Sequence, residues 1–144
     1  MMNQIACARI KLALALCLCS VSSVSWGQDW VVVVNKANAN AIDRALVARI
    51  YTGDAKAWPD GSGVIAVDLP EGSPVRDAFL SQVLSKSSAN MKALWAQNVF
   101  SGKALPPKSV ASDDEVKRAV SGNRNAIGYI KATSVDDTVR AVLK

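Results

Sequence analysis

The chain has 144 residues, half of them hydrophobic, with 17 Lys+Arg against 12 Asp+Glu for a formal net charge of +5 and no histidine. With no histidine, and with Cys7, Cys17 and Cys19 crowded into the first 19 residues, zinc sites of the usual ligands, Cys-His nucleophiles and Ser-His-Asp triads are excluded for the rest of the chain. The basic excess is scattered, with no run of five like charges, which argues against nucleic acid as a partner while favouring small anions in any cleft.

The opening segment reads as an export address. Arg9 and Lys11 supply a short positive region, and residues 12–21 (LALALCLCSV) an apolar run too short to span a bilayer. Ser25-Trp26-Gly27 then gives a small-x-small pattern, placing cleavage between Gly27 and Gln28. The competing readings are a core helix or a membrane anchor; a lipid-attachment site is disfavoured because Leu16 and Leu18 precede the cysteines. Cleavage would leave residues 28–144 as a single domain of 117 residues, without thiols and with a net charge of +3, since Arg9 and Lys11 depart. The expected location is periplasmic or secreted, with no membrane insertion after cleavage.

In chain order, residues 30–34 (WVVVV) are short, β-branched and continuously apolar, the pattern of a strand buried on both faces. Residues 38–51 change to helical period through Ile42, Ala45, Leu46 and Ile50, with Asn38 or Asn40 as cap and Gly53 past the end. Trp58-Pro59-Asp60-Gly61 forms a tight turn ahead of a strand at residues 64–69. Ser73-Pro74 opens a helix running to Leu84, with hydroxyl cap and proline in the preferred order.

A third helix, capped by Ser87 or Ser88, carries Met91, Leu94, Trp95 and Val99 at spacings of three and four and ends at Gly102; it is the clearest amphipathic segment. After a proline-rich loop, Ser112-Asp113-Asp114-Glu115 is a capping box for a short helix over residues 113–121. Residues 126–130 (AIGYI) form a third strand and 139–143 a fourth. Alternating strands and helices over this length predict an α/β domain of three layers, helices on both faces of a mixed, largely parallel sheet.

The motifs of catalysis are missing. No serine stands three residues before a lysine, and neither phosphate-loop nor dinucleotide fingerprints occur, so an enzyme is not expected. Asp113, Asp114 and Glu115 occupy a first helical turn, where acidic side chains offset the dipole, and Asp136-Asp137 reads as a solvated turn. Trp95 and Phe79 read as core, whereas Trp58 could pack down or line a cleft.

Candidate binding chemistry centres on Glu71-Gly72-Ser73-Pro74-Val75-Arg76. A helix start presents unpaired N–H groups, Gly72 permits close approach, Ser73 can donate its hydroxyl, and Arg76 could reach back with a forked pair of donors. The plainer reading is a good cap beside a surface arginine that pairs with Glu71. Asn35, Lys36 and Asn38 lie at the first strand-to-helix junction, where open α/β sheets bind ligands, and Asn35 and Asn38 join Gly72, Ser73 and Arg76 as candidate ligand residues.

Several segments together resemble the phosphate-binding proteins of ABC importers and the wider type II periplasmic binding family. Residues 50–61 (IYTGDAKAWPDG) are similar to that family's I-F-x-G-K-x-x-x-W-x-D segment, Val99-Phe100-Ser101-Gly102-Lys103 to another, and AIGYI to its G-A-I-G-Y-V strand. The resemblance covers nearly all of residues 28–144 and implies the inserted second lobe of a two-lobed receptor.

It places the family's S-G-T anion loop on Ser73-Pro74-Val75, where only the serine is kept; its arginine would fall at Leu69, and Asn125 stands where glycine is usual. The implied function is binding of phosphate or a similar oxyanion without catalysis or cofactor, with an ABC permease or another envelope protein as partner. A homodimer is a further possibility, in which each copy supplies one jaw. The alternative is a ligand-free interaction or regulatory domain derived from such a lobe.

Overall fold

The computed structural model describes residues 29–144; the predicted export signal, residues 1–27, lies outside them. The chain runs β1 (Trp30–Val34), α1 (Arg44–Thr52), β2 (Ile65–Asp68), α2 (Pro74–Phe79), α3 (Ser88–Phe100), β3 (Lys108–Ser109), α4 (Asp113–Gly122), β4 (Ala126–Lys131) and β5 (Arg140–Leu143). A wider π turn, Leu80–Leu84, continues α2, and a 3-10 turn, Ala132–Ser134, follows β4.

The sheet order is β3-β2-β4-β1-β5. β2 pairs in parallel with β3 and β4, whereas β1 lies antiparallel to both β4 and β5. Four strands therefore point one way and β1 the other, the mixed, largely parallel arrangement that the alternation predicts. β1 is buried along its whole length, as its uninterrupted valines require of a strand covered on both faces.

Period-two alternation along β4 assigns the layers. Gly128 faces α4, where an added Cβ would meet Val116 Cγ1 at 2.4 Å; the missing side chain is what lets the helix lie against the strand. Tyr129 faces the opposite layer and stacks on Phe79 with ring centroids 4.0 Å apart. Tyr51 meets Phe79 edge-on at 5.0 Å and Trp30 does so at 5.5 Å, tying α1, α2 and β1 into one aromatic core. Trp58 packs down, its Nε1–H donating to the Asn125 carbonyl at 3.1 Å.

Three expectations need correction. Helix α1 starts at Arg44, capped by Asp43, whose carboxylate accepts the Leu46 N–H at 2.8 Å. Asn38 does not cap it, because its carboxamide oxygen instead accepts the N–H of Asn40 at 3.0 Å and holds residues 35–43 as a loop. The predicted amphipathic face of α3 is only partly covered: Met91 is buried, Leu94 and Trp95 are half-buried, and Val99 is 48% exposed. Finally, β3 has two residues inside the proline-rich stretch, too short to leave a periodic signal.

Candidate functional site

Parallel β2 and β4 place their carboxyl ends side by side, and the connections leaving them bound a recess of about 480 Å³. Its lining includes Leu69, Ser73, Ser112, Asp113, Lys131 and Ser134. Two helix starts meet there. Ser73 Oγ accepts the Arg76 N–H at 3.4 Å to cap α2, and Ser112 Oγ accepts the Glu115 N–H at 3.3 Å to cap α4. The Glu115 carboxylate reaches back to the Ala111 N–H at 2.9 Å, one residue before the expected capping-box partner.

Gly72, at φ +87°, turns the chain into α2 in a left-handed conformation that a Cβ would strain. The donor supply at this start is small. Pro74 has no N–H, Arg76 donates to Ser73 Oγ and Asp77 to the Ser73 carbonyl, so within this first turn only the Val75 amide could be offered to a ligand.

Arg76 does not reach back into the recess. Its Nε donates to Asp68 Oδ2 at 3.1 Å and its Nη1 to Ser88 Oγ at 2.7 Å, tying the end of β2 to the start of α3. Both partners of the ion pair are largely covered, with side-chain exposures of 11% and 16%. The other Asp68 oxygen accepts the Tyr129 hydroxyl and, at 2.9 Å, the Leu69 N–H. Burial, then the Asp68 charge, push the Tyr129 phenol well above its ordinary range and do the same to Tyr51. Both hydroxyls stay protonated donors, the Tyr51 hydroxyl to the Val67 carbonyl at 2.8 Å.

Asn35 and Asn38 fall elsewhere. Because β1 runs against β4, with Val34 opposite Ile127 and Trp30 opposite Lys131, its carboxyl end lies at the far edge of the sheet from Ser73, roughly 13 Å along the strands. There Asn35 Nδ2 donates to the Val120 and Ser121 carbonyls at 2.9 Å, closing the end of α4. Asn38 is buried, and its carbonyl accepts Arg140 Nη2 at 2.6 Å. Of the five candidates the structure thus brings Ser73 to the recess, leaves Gly72 exposed in the turn before it, turns Arg76 to the layer beside it, and engages the two asparagines in loop contacts at the opposite end.

No family model matches the sequence, and no curated protein matches it. Solved structures do. A putative phosphate ABC transporter substrate-binding protein with bound phosphate from Clostridium perfringens is similar over 79% of this chain and 44% of its own, at 27% identity and a TM-score of 0.64. An ABC-type phosphate transport receptor from Vibrio cholerae gives 24% identity and a TM-score of 0.62 over 79% and 45% of the two chains. A possible phosphate binding protein from Planctomyces limnophilus gives 16% and 0.57 over 79% and 40%.

The domain has the fold of a phosphate transport receptor lobe. It spans less than half the length of these receptors. The segments that carry the resemblance have structural duties in this receptor-like domain: Gly53 ends α1 at φ +83°, Trp58 anchors the following turn, and Gly128 admits α4.

The recess residues outside the Ser73 turn carry no binding signal in the sequence. Ser112 was visible only as a cap, and Lys131 and Ser134 follow the AIGYI strand without a motif of their own. Leu69, where the family resemblance would place an arginine, is buried and gives the recess an apolar wall.

Proposed function

We propose that the receptor-like domain is a non-enzymatic, extracytoplasmic module that holds phosphate or a similar oxyanion weakly in the recess at the carboxyl ends of β2 and β4. The observation that carries this reading is Ser73, which lines that recess from the start of α2 and keeps a hydroxyl proton to donate. Gly72 makes the left-handed turn that presents Ser73, and Lys131 adds positive charge at the rim. Arg76 acts at one remove, its bond to Asp68 fixing the end of β2.

Weak binding follows from the same contacts. Pro74 removes one amide, and the Asp113 carboxylate stands among the lining groups, already accepting Ser134 Oγ at 2.8 Å and the Lys131 N–H at 3.2 Å. An anion in an open recess keeps part of its hydration, so each bond contributes about 1 kcal/mol net. A second copy facing the recess would close it, and an ABC permease would be the partner of a protein working in import.

Calorimetry of the purified protein at low salt tests the ligand. Millimolar phosphate or sulfate is expected to give saturable heat that Ser73→Ala abolishes. Ser87→Ala removes the α3 cap instead, and should cost a similar 1 kcal/mol or so while leaving the heat intact. Absence of heat in the unaltered protein removes the oxyanion reading.

The alternative is a ligand-free interaction domain, favoured by the Arg76–Asp68–Ser88 contacts that keep the guanidinium from the recess. Phosphate binding sensitive to Ser73→Ala would count against it.

A further inference from the structure

A second concavity lies at the opposite end of β2. A groove of about 420 Å³ runs between α3 and the strand edge, floored by Ile50, Ile65, Ala66 and Trp95 and walled by Leu105 and Pro106. Leu105 is 81% exposed and Ile65 46%. Val99, one turn beyond Trp95 on the same face of α3, extends the apolar surface. This is the face whose spacing predicts burial: Met91 is buried and Trp95 half-buried, but at Val99 it stays open among the described residues. The groove's size falls within the roughly 300–1,000 Å³ of binding pockets.

Its charge says what kind of surface would cover it. Lys56 and Lys108 line the groove, Lys103 lies in the same loop, and Lys92 sits three residues before Trp95 on α3. The nearby carboxylate of Asp54 is engaged by Lys103 at 2.5 Å, while Lys56 donates to the Lys103 carbonyl. Among the described residues, Lys56, Lys92 and Lys108 form no ion pair with a carboxylate. An apolar hollow with an uncompensated basic rim matches an acidic partner.

From this juxtaposition we propose that the groove docks a segment of a partner protein in which apolar side chains alternate with carboxylates. The apolar side chains enter between Trp95 and Leu105, and the carboxylates meet Lys56 and Lys108. A second copy docked face to face would set the two lysine rims against each other. An anionic bilayer would match the charge, but this apolar surface is concave, which suits an inserted side chain better than a lipid interface.

The test uses fluorescence anisotropy with three labelled eight-residue peptides: alternating leucine and glutamate, alternating leucine and lysine, and alternating serine and glutamate. The first is expected to bind saturably, and Leu105→Glu and Lys108→Glu each to weaken it about tenfold or more. Both positions are exposed, so the variants should keep the parent melting temperature. The proposal is overturned by no binding at millimolar peptide, by equal binding of the lysine peptide, or by indifference to both substitutions. Co-sedimentation with phosphatidylserine vesicles that exceeds peptide binding would reassign the groove to membranes, and self-association lost in Leu105→Glu would reassign it to a second copy.

Discussion

Gly128 lets α4 pack directly against β4. Its α-carbon is where α4 touches the sheet, and a methyl group added there would lie 2.4 Å from Val116 Cγ1. Valine has little freedom to swing aside within a helix, so Gly128→Ala is expected to destabilise the domain by about 1–3 kcal/mol, read as a lower urea midpoint at unchanged slope. Adding Val116→Ala should recover part of that loss, because the two changes share one contact and are not additive. The glycine was readable in the sequence as part of a familiar strand. Its reason was not, since the partner lies 12 positions away on a different element.

At the scale of elements, the serine-capped helix starts are the most legible features, whereas the start of α1 is not. Ser73, Ser87 and Ser112 each cap the helix their spacing announces, because a cap bond forms within four residues and owes nothing to the rest of the fold. The far end of α1 is different: the buried Asn98 on α3 donates its Nδ2 to the Thr52 carbonyl at 3.0 Å across 46 positions. Asn98→Ala leaves that carbonyl without this donor, and should cost about 1–2 kcal/mol in chemical denaturation. Helix α3 illustrates the converse failure. Its apolar spacing was plain, yet spacing identifies a face that seeks cover without naming what covers it, and part of that face stays open.

Whole-molecule electrostatics predict a broad plateau in stability. Hydrogen bonds from Lys103 and Thr52 hold Asp54 below the ordinary carboxylate range, those from Ser62 lower Asp60, and those from Lys117 and Thr138 lower Asp136. Each depressed group stabilises the fold above its unfolded value, near pH 4, and loses that contribution as pH falls through its folded value. On the alkaline side, burial raises Tyr51 and Tyr129, and hydrogen bonds to Asp136 and Asp114 raise Lys117. Their contributions are complete below about pH 10 and fade as pH rises toward the folded values. With no histidine to titrate between, melting temperature should stay flat from about pH 5 to 9 and fall on both sides. A step near pH 6.5 would contradict this.

The sequence by itself determined the α/β class, the strand-helix alternation, the serine caps of α2, α3 and α4 and the likeness to phosphate receptors, because periodicity, capping and turn chemistry act over a few residues. Tertiary structure alone decided which of the candidates reach the recess. The reversed direction of β1 sends Asn35 and Asn38 to the opposite end of the sheet from Ser73, and Asp68 draws Arg76 away from the anion it was expected to meet. Both outcomes depend on strand direction and on partners brought together by folding, which local spacing does not encode.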